Sequence, residues 1–300
     1  MNIFSQLVVS LLPLTPKPIV ARFAKPYIAG EELADAVNVV RSLNTVGAMG
    51  TVDVLGEDIT TREEAIGARE ECKRVLAAIA EHRLDSNVSV KLTQLGLKID
   101  REFCRANVEE ILDAAKAQNN FVRIDMEDHT CTDDTLKVFR QVQDKYSNVG
   151  IVIQAYLRRS ESDIRQLASE KANVRLCKGI YVEPVDIAFK KREEVQENFQ
   201  KLLRILFESR CYVGIATHDD VLIDGAKALI SEFKPALMEY EYQMLLGVRT
   251  EKRNQLIRDG HRLRVYTPYG KRWYAYSARR LKENPQIAGY VLKSIFKNGR

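Results

Sequence analysis

The strongest constraint in this chain is a repeat of short apolar runs alternating with helical stretches. Candidate strands begin near Leu43, Asn87, Phe121, Val149, Asn173, Cys211, Ala236 and Arg262. The spacing is roughly 25 to 45 residues, room for a strand, a loop and a helix each time. The run Gly150-Ile-Val-Ile-Gln-Ala-Tyr156 is nearly continuous in apolar side chains, as a strand covered on both faces must be. Between the runs lie amphipathic patterns. Arg62 to His82 aligns Ala65, Ala68, Cys72, Val75, Leu76 and Ile79 on one stripe, and Asp100 to Gln118 does the same with Phe103, Val108, Ile111, Leu112 and Ala115. Alternating βα units predict a parallel sheet, and eight of them predict closure: an α/β fold, a (βα)8 TIM-type barrel with an N-terminal helical arm. An open doubly wound sheet is the rival, but no GxGxxG follows the first strand. The arm is placed at residues 1–42, with Pro13, Pro16, Pro18, Pro26 and a helix-like Glu31 to Leu43, and the barrel at residues 43–300.

Composition narrows the function classes. The chain has 300 residues, 45% hydrophobic and 29% charged, so a large core is available. A net charge of +5 without a clustered basic stripe argues against a nucleic-acid partner. The five cysteines are scattered and lack CxxC spacing, which predicts neither a zinc site nor a disulfide framework and suits a reducing, cytoplasmic setting. His129 beside the acidic run Asp125 to Asp128 lacks convergent ligand spacing, so no metal is expected. The apolar N-terminal run from Met1 to Leu14 is too short to span a bilayer and has no basic leader, leaving peripheral contact with the inner membrane face open.

In a barrel of this kind the chemistry sits at the C-terminal ends of the strands. The polar residues predicted there are Glu57, Lys91, Asp125, Glu127, Gln154, Arg175, Lys178, Thr217, His218, Glu241, Gln243 and Tyr266. Polar groups inside apolar strands cost several kcal/mol each if unpaired, so this many at one rim predicts a ligand site. On the last helix, Tyr276, Arg279 and Glu283 share one face with Arg280 beside them. That spacing fits either a solvated charged face or a clamp for a carboxylate or phosphate.

The ordered set Asp53-Val-Leu-Gly-Glu57, Ser89-Val-Lys-Leu92, Ile124-Asp-Met-Glu127, Val152-Ile-Gln-Ala-Tyr156, Val174-Arg-Leu-Cys-Lys-Gly-Ile-Tyr181, Ala216-Thr-His218, Glu241-Tyr-Gln243, Arg264-Val-Tyr-Thr-Pro268 and Tyr276-Ser-Ala-Arg-Arg-Leu-Lys-Glu283 resembles the proline dehydrogenase family, monofunctional and bacterial in type. The resemblance implies FAD-dependent oxidation of L-proline to 1-pyrroline-5-carboxylate, the first step of proline catabolism to glutamate. It implies hydride transfer from proline C5 to flavin N5 and a quinone electron acceptor. Lys91, Arg279 and Arg280 are then expected to pair with the proline carboxylate, and Tyr181, Tyr266 and Tyr276 to wall its ring. Asp125 is expected to orient its neighbours. Gln154 and Arg175 are expected beside the flavin ring, with Lys178, Gly179, Thr217, His218 and Glu283 on the rest of FAD. Glu57 and Arg279 are expected to form a gate over the mouth. Departures are modest: Val182 follows Tyr181 where bifunctional relatives carry tryptophan, and Cys177 reads as a small buried hydrophobe. A flavin barrel resembling methylenetetrahydrofolate reductase would lack the Arg279-Arg280 pair, and an aldolase-type barrel would need a glycine-rich phosphate loop late in the chain, which is missing. A barrel without activity, acting as a binding protein, is the rival from another class.

Overall fold

The computed structural model of the chain describes residues 25–56, 59–274 and 276–277. Eight parallel strands close into one barrel: β1 (Met49–Val54), β2 (Ser86–Val90), β3 (Val122–Ile124), β4 (Val149–Gln154), β5 (Val174–Cys177), β6 (Val213–Ala216), β7 (Tyr240–Leu245) and β8 (Leu263–Tyr269). Each pairs with the next, and β8 pairs back to β1 with Met49 opposite Arg264. Helix α1 (Leu33–Thr45) precedes β1. The helices α2 (Arg62–Glu81), α3 (Arg101–Ala117), α4 (Thr132–Gln143), α5 (Ser160–Ser169), α6 (Arg192–Glu208), α7 (Asp220–Phe233) and α8 (Thr250–Arg258) follow β1 to β7 in turn.

The helices begin where side chains can satisfy their free N–H groups. Thr61 Oγ1 accepts from the Glu64 amide at 3.2 Å while Glu64 Oε2 accepts from the Thr61 amide at 3.3 Å, a capping box that starts α2. Asp100 starts α3 by accepting from the amides of Glu102 and Phe103 at 2.9 and 3.1 Å. Both helices bury the predicted stripes, Cys72, Val75, Leu76 and Ile79 in one and Val108, Ile111, Leu112 and Ala115 in the other.

Two strand starts differ from the sequence reading. Leu43 belongs to α1, where it continues the buried face of Ala36, Val37 and Val40, and β1 starts only after Gly47 turns the chain at φ +78°. Ala236 leads into a 3-10 turn, Leu237–Glu239, so β7 starts at Tyr240. Both segments carry apolar residues whose helical or turn role a strand pattern imitates. Before α1, the Ala29 amide donates to Pro268 O and the Gly270 amide to Gly30 O, fastening the arm's end to β8.

Side chains alternate along a strand, so residues two apart share the barrel interior at successive depths. Arg123 and Asp125, Glu241 and Gln243, and Arg264 and Tyr266 are such pairs. In each, the first residue lines a cavity at the N-terminal mouth and the second a cavity at the C-terminal mouth. Glu241 was expected at the C-terminal rim; it lies instead at the other end, where it pairs with Arg264 at 2.7 Å. Alternation gives the face of a residue but not its depth.

Candidate active site

The C-terminal mouth opens on a cavity of about 680 Å³. Lys91, Asp125, Gln154, Arg175, Lys178, Gly179, Tyr181, Thr217, His218, Tyr266 and Tyr276, predicted from seven separate stretches of chain, all line it. Glu57, Arg279, Arg280 and Glu283 lie outside the described residues, and with them the expected gate and carboxylate clamp.

Asp125 is the hub. Its Oδ1 accepts from Arg175 Nη1 and from Ser89 Oγ, both at 2.7 Å, and its Oδ2 accepts from the Tyr266 hydroxyl at 2.8 Å. Lys91 Nζ stands 3.8 Å from the same carboxylate and 2.7 Å from Asp53 Oδ1. Two carboxylates and two cations are thus interleaved in the interior, all nearly buried, with no net formal charge. Such a cluster is stable only while each charge keeps its partners, because the surroundings cannot solvate an ion left alone. Burial, reinforced by Asp125 and Asp53, pushes the Tyr266 hydroxyl well above its usual value, so it stays protonated and donates.

A second network forms the rim. Asp219, its side chain 2% exposed, accepts from Arg192 at 3.0 Å, Gln196 at 3.0 Å and Lys178 at 3.4 Å. Burial alone would raise this carboxyl, but Gln196, Lys178 and Arg192 hold it below the usual range. Thr217 Oγ1 accepts from the Asp219 amide at 3.1 Å. His218 Nε2 accepts from the Leu245 amide at 2.9 Å, which makes Nδ1 the protonated nitrogen of a neutral ring. Gln154 donates to Glu127 O at 2.8 Å.

The loop from β5 to α6 forms one wall and is fastened at three points. Tyr156 N donates to Lys178 O, Phe189 N donates to Tyr156 O, and buried Glu183 accepts from the His129 amide at 2.9 Å and pairs with His129 Nδ1. Gly179 permits this packing: its φ is +108° and an added Cβ would stand 2.0 Å from the Tyr156 ring. Gly179→Ala is expected to cost about 1–3 kcal/mol, visible as a lower urea midpoint. An unchanged midpoint would show that the loop absorbs the methyl group. Val182 on this loop is 99% exposed. Cys177 is half-buried and lines the cavity, so it is not the enclosed hydrophobe the sequence suggested.

Sequence reasoning missed Asp53, Ser89, Asp219 and Glu183. A charged residue within the apolar run Met49–Val54 is a signal for Asp53; Asp219 reads from sequence only as a helix cap. Among the described residues no three metal-ligating side chains converge, and no helix is long and apolar enough to cross a membrane.

Comparison with known proteins gives the fold relatives and the family. The solved chain of proline utilization A from Bdellovibrio bacteriovorus, inactivated by N-propargylglycine, superposes with a TM-score of 0.83 at 24% identity. That alignment covers 95% of this chain but 36% of the solved one, so it supports the fold alone. Proline dehydrogenase 1 of Bacillus subtilis subsp. natto is 40% identical over 274 residues, 91% of each chain. The proline dehydrogenase of Deinococcus radiodurans is 33% identical over 279 residues, 91% of this chain and 90% of its own. The family described as proline dehydrogenase matches residues 36–292, and on that match together with these relatives the chain belongs to the proline dehydrogenase family of oxidoreductases.

Proposed function

We propose that this chain oxidises L-proline to 1-pyrroline-5-carboxylate with FAD as its cofactor and passes the electrons to a quinone-type acceptor. The observation that carries the reading is the neutral Asp53–Lys91–Asp125–Arg175 cluster beneath a cavity walled by Tyr181, Tyr266 and Tyr276. The residues fit a flavin: Arg175 lines the cavity, and its buried Nε has no hydrogen-bond partner. Lys178 and Arg192 share the single carboxylate of Asp219, which leaves cationic character at the rim for a phosphate.

The flavin, when bound, supplies N5 as acceptor of the hydride from proline C5. Lys91 would hold the proline carboxylate, joined by Arg279 and Arg280. Asp125 would keep Lys91, Arg175 and Tyr266 in fixed relation, so that the substrate meets an already ordered floor. The tyrosine rings would exclude water from the reacting face, and Tyr266 would serve as a hydrogen-bond donor rather than a base. Contact of the mouth with the inner face of a membrane would bring the acceptor within reach.

The test is a visible spectrum of purified protein before and after anaerobic L-proline. Flavin absorbance near 450 nm that bleaches with L-proline is the expected result, with FAD released on denaturation. Colourless folded protein, or a flavin indifferent to proline, would overturn the reading.

A further inference from the structure

The tip of the loop between β5 and α6 has an inverted burial pattern. Val182 is 99% exposed, while the next residue, Glu183, is 4% exposed. Solvation favours the opposite choice, because a valine gains by leaving water and a carboxylate loses. The geometry of the chain accounts for the inversion. Residues two apart on an extended chain share a face, and Pro184 biases the preceding Glu183 to extended backbone. Tyr181 lines the cavity and Glu183 is buried behind it, with Val182 turned outward between them. A loop slipped by one residue would bury Val182 and turn Tyr181 out of the cavity.

The inward glutamate has a seat ready for it. Its Oε1 accepts from the His129 amide at 2.9 Å and from the Tyr156 hydroxyl at 3.3 Å, and its Oε2 pairs with His129 Nδ1. Burial, reinforced by Glu183, keeps the Tyr156 hydroxyl far above its usual value, so it remains a donor. The Tyr156 ring also lies against Gly179, so one side chain braces the loop on both sides of Tyr181. Past Pro184 the loop is held by its backbone. The Arg158 amide donates to Ile187 O at 3.0 Å and the Phe189 amide to Tyr156 O at 2.8 Å. Next to Tyr181 the anchor is a side chain. It reaches His129, which follows the stretch that carries the Asp125 hub.

We propose that Glu183 is a positioning residue whose seat on His129 and Tyr156 holds the loop register in which Tyr181 faces the substrate cavity. Glu183 lies behind the cavity wall rather than on it and acts through Tyr181. That Tyr181 walls the proline ring rests on the function proposed above; the anchoring of the loop does not.

Two experiments test this, and the first needs no activity. Trypsin cleavage of the folded protein after Lys178 or Lys190, followed by mass, reports how often the loop opens. Glu183→Ala should be cut at least about tenfold faster than the wild type. Glu183→Gln, whose amide can keep all three contacts, should be cut at nearly the wild-type rate. Equal rates for Glu183→Ala and the wild type would overturn the anchor. The second experiment is kinetic. Glu183→Ala should raise KM for proline at least about tenfold while kcat stays within about threefold. Tyr181→Ala should raise KM similarly, and the double variant should be no worse than Tyr181→Ala alone. Glu183→Gln should recover most of the wild-type KM. A wild-type KM in Glu183→Ala, or effects that multiply in the double variant, would overturn the link to Tyr181. If Glu183→Ala does not fold, Glu183→Asp, one methylene shorter, replaces it in both experiments. If the wild type does not oxidise proline, the proposed function fails while the cleavage rates still decide the anchor.

Discussion

Replacing Asp125 with asparagine is expected to lower kcat for proline by at least about 30-fold, equivalent to about 2 kcal/mol, without raising KM. The reason is the hub geometry. Arg175, Ser89 and Tyr266 all converge on this carboxylate, and Lys91 lies 3.8 Å away. Removing its charge leaves Arg175 without a carboxylate, while Lys91 keeps Asp53. Lys91 can then still hold the proposed substrate's carboxylate, while Arg175 loses the carboxylate that fixes it beside the flavin. This spares binding but not the aligned geometry of the proposed redox step. Steady-state kinetics separate the cases. A raised KM with normal kcat would make Asp125 a binding group rather than an orienting one.

The largest stability effect is expected at the opposite end. Arg264→Met removes the hydrogen-bonded ionic partner of Glu241, itself 1% exposed, leaving it Arg262 at 3.9 Å, and should cost about 3–5 kcal/mol at neutral pH. Burial alone would raise the Glu241 carboxyl, but the Arg264 guanidinium outweighs it and holds the group below 4.5. In the wild type this pair therefore contributes stability that is fully present above the unfolded value and is lost as pH falls through the depressed folded one. In the variant burial acts unopposed by Arg264, the carboxyl moves up, and folding favours its protonated form. The two stability curves should approach each other as pH falls from neutral. The variant first gains stability as pH passes its raised carboxyl value, and below about 4.5 the wild type also loses some. Denaturant midpoints between pH 4 and 8 check this, and a gap independent of pH would mean that lost packing rather than charge dominates.

The barrel was legible in the sequence because parallel strands and their covering helices carry different periods, and the units follow one another along the chain. Boundaries failed where local patterns overlap. Leu43 sits on a helical stripe that continues into Asn-Thr-Val, a run that imitates a strand. The candidate cavity was legible from polar residues in apolar strands: every such residue expected at the substrate or cofactor and described in the structure lines it. Glu241 was misplaced because residues 241 and 243 share a face, and only the closed register assigns one to each mouth. Glu183 was missed because its partner His129 lies 54 residues away, a pairing that no local pattern encodes.

Closure of β8 on β1 also bears on how the chain acquires its structure during synthesis. Arg264 reaches across the seam to Gly50 O at 2.6 Å, and its neighbour across that seam, Met49, is 215 residues earlier in the chain. Until β8 emerges from the ribosome, β1 and β7 are open edges of a curved sheet, each able to pair with another chain. The late arrival of one strand makes the seam a slow step with a high loop-closure cost. Nascent chains truncated before Leu263 should thus be the aggregation-prone species, and chaperone binding should end when Arg264 can dock.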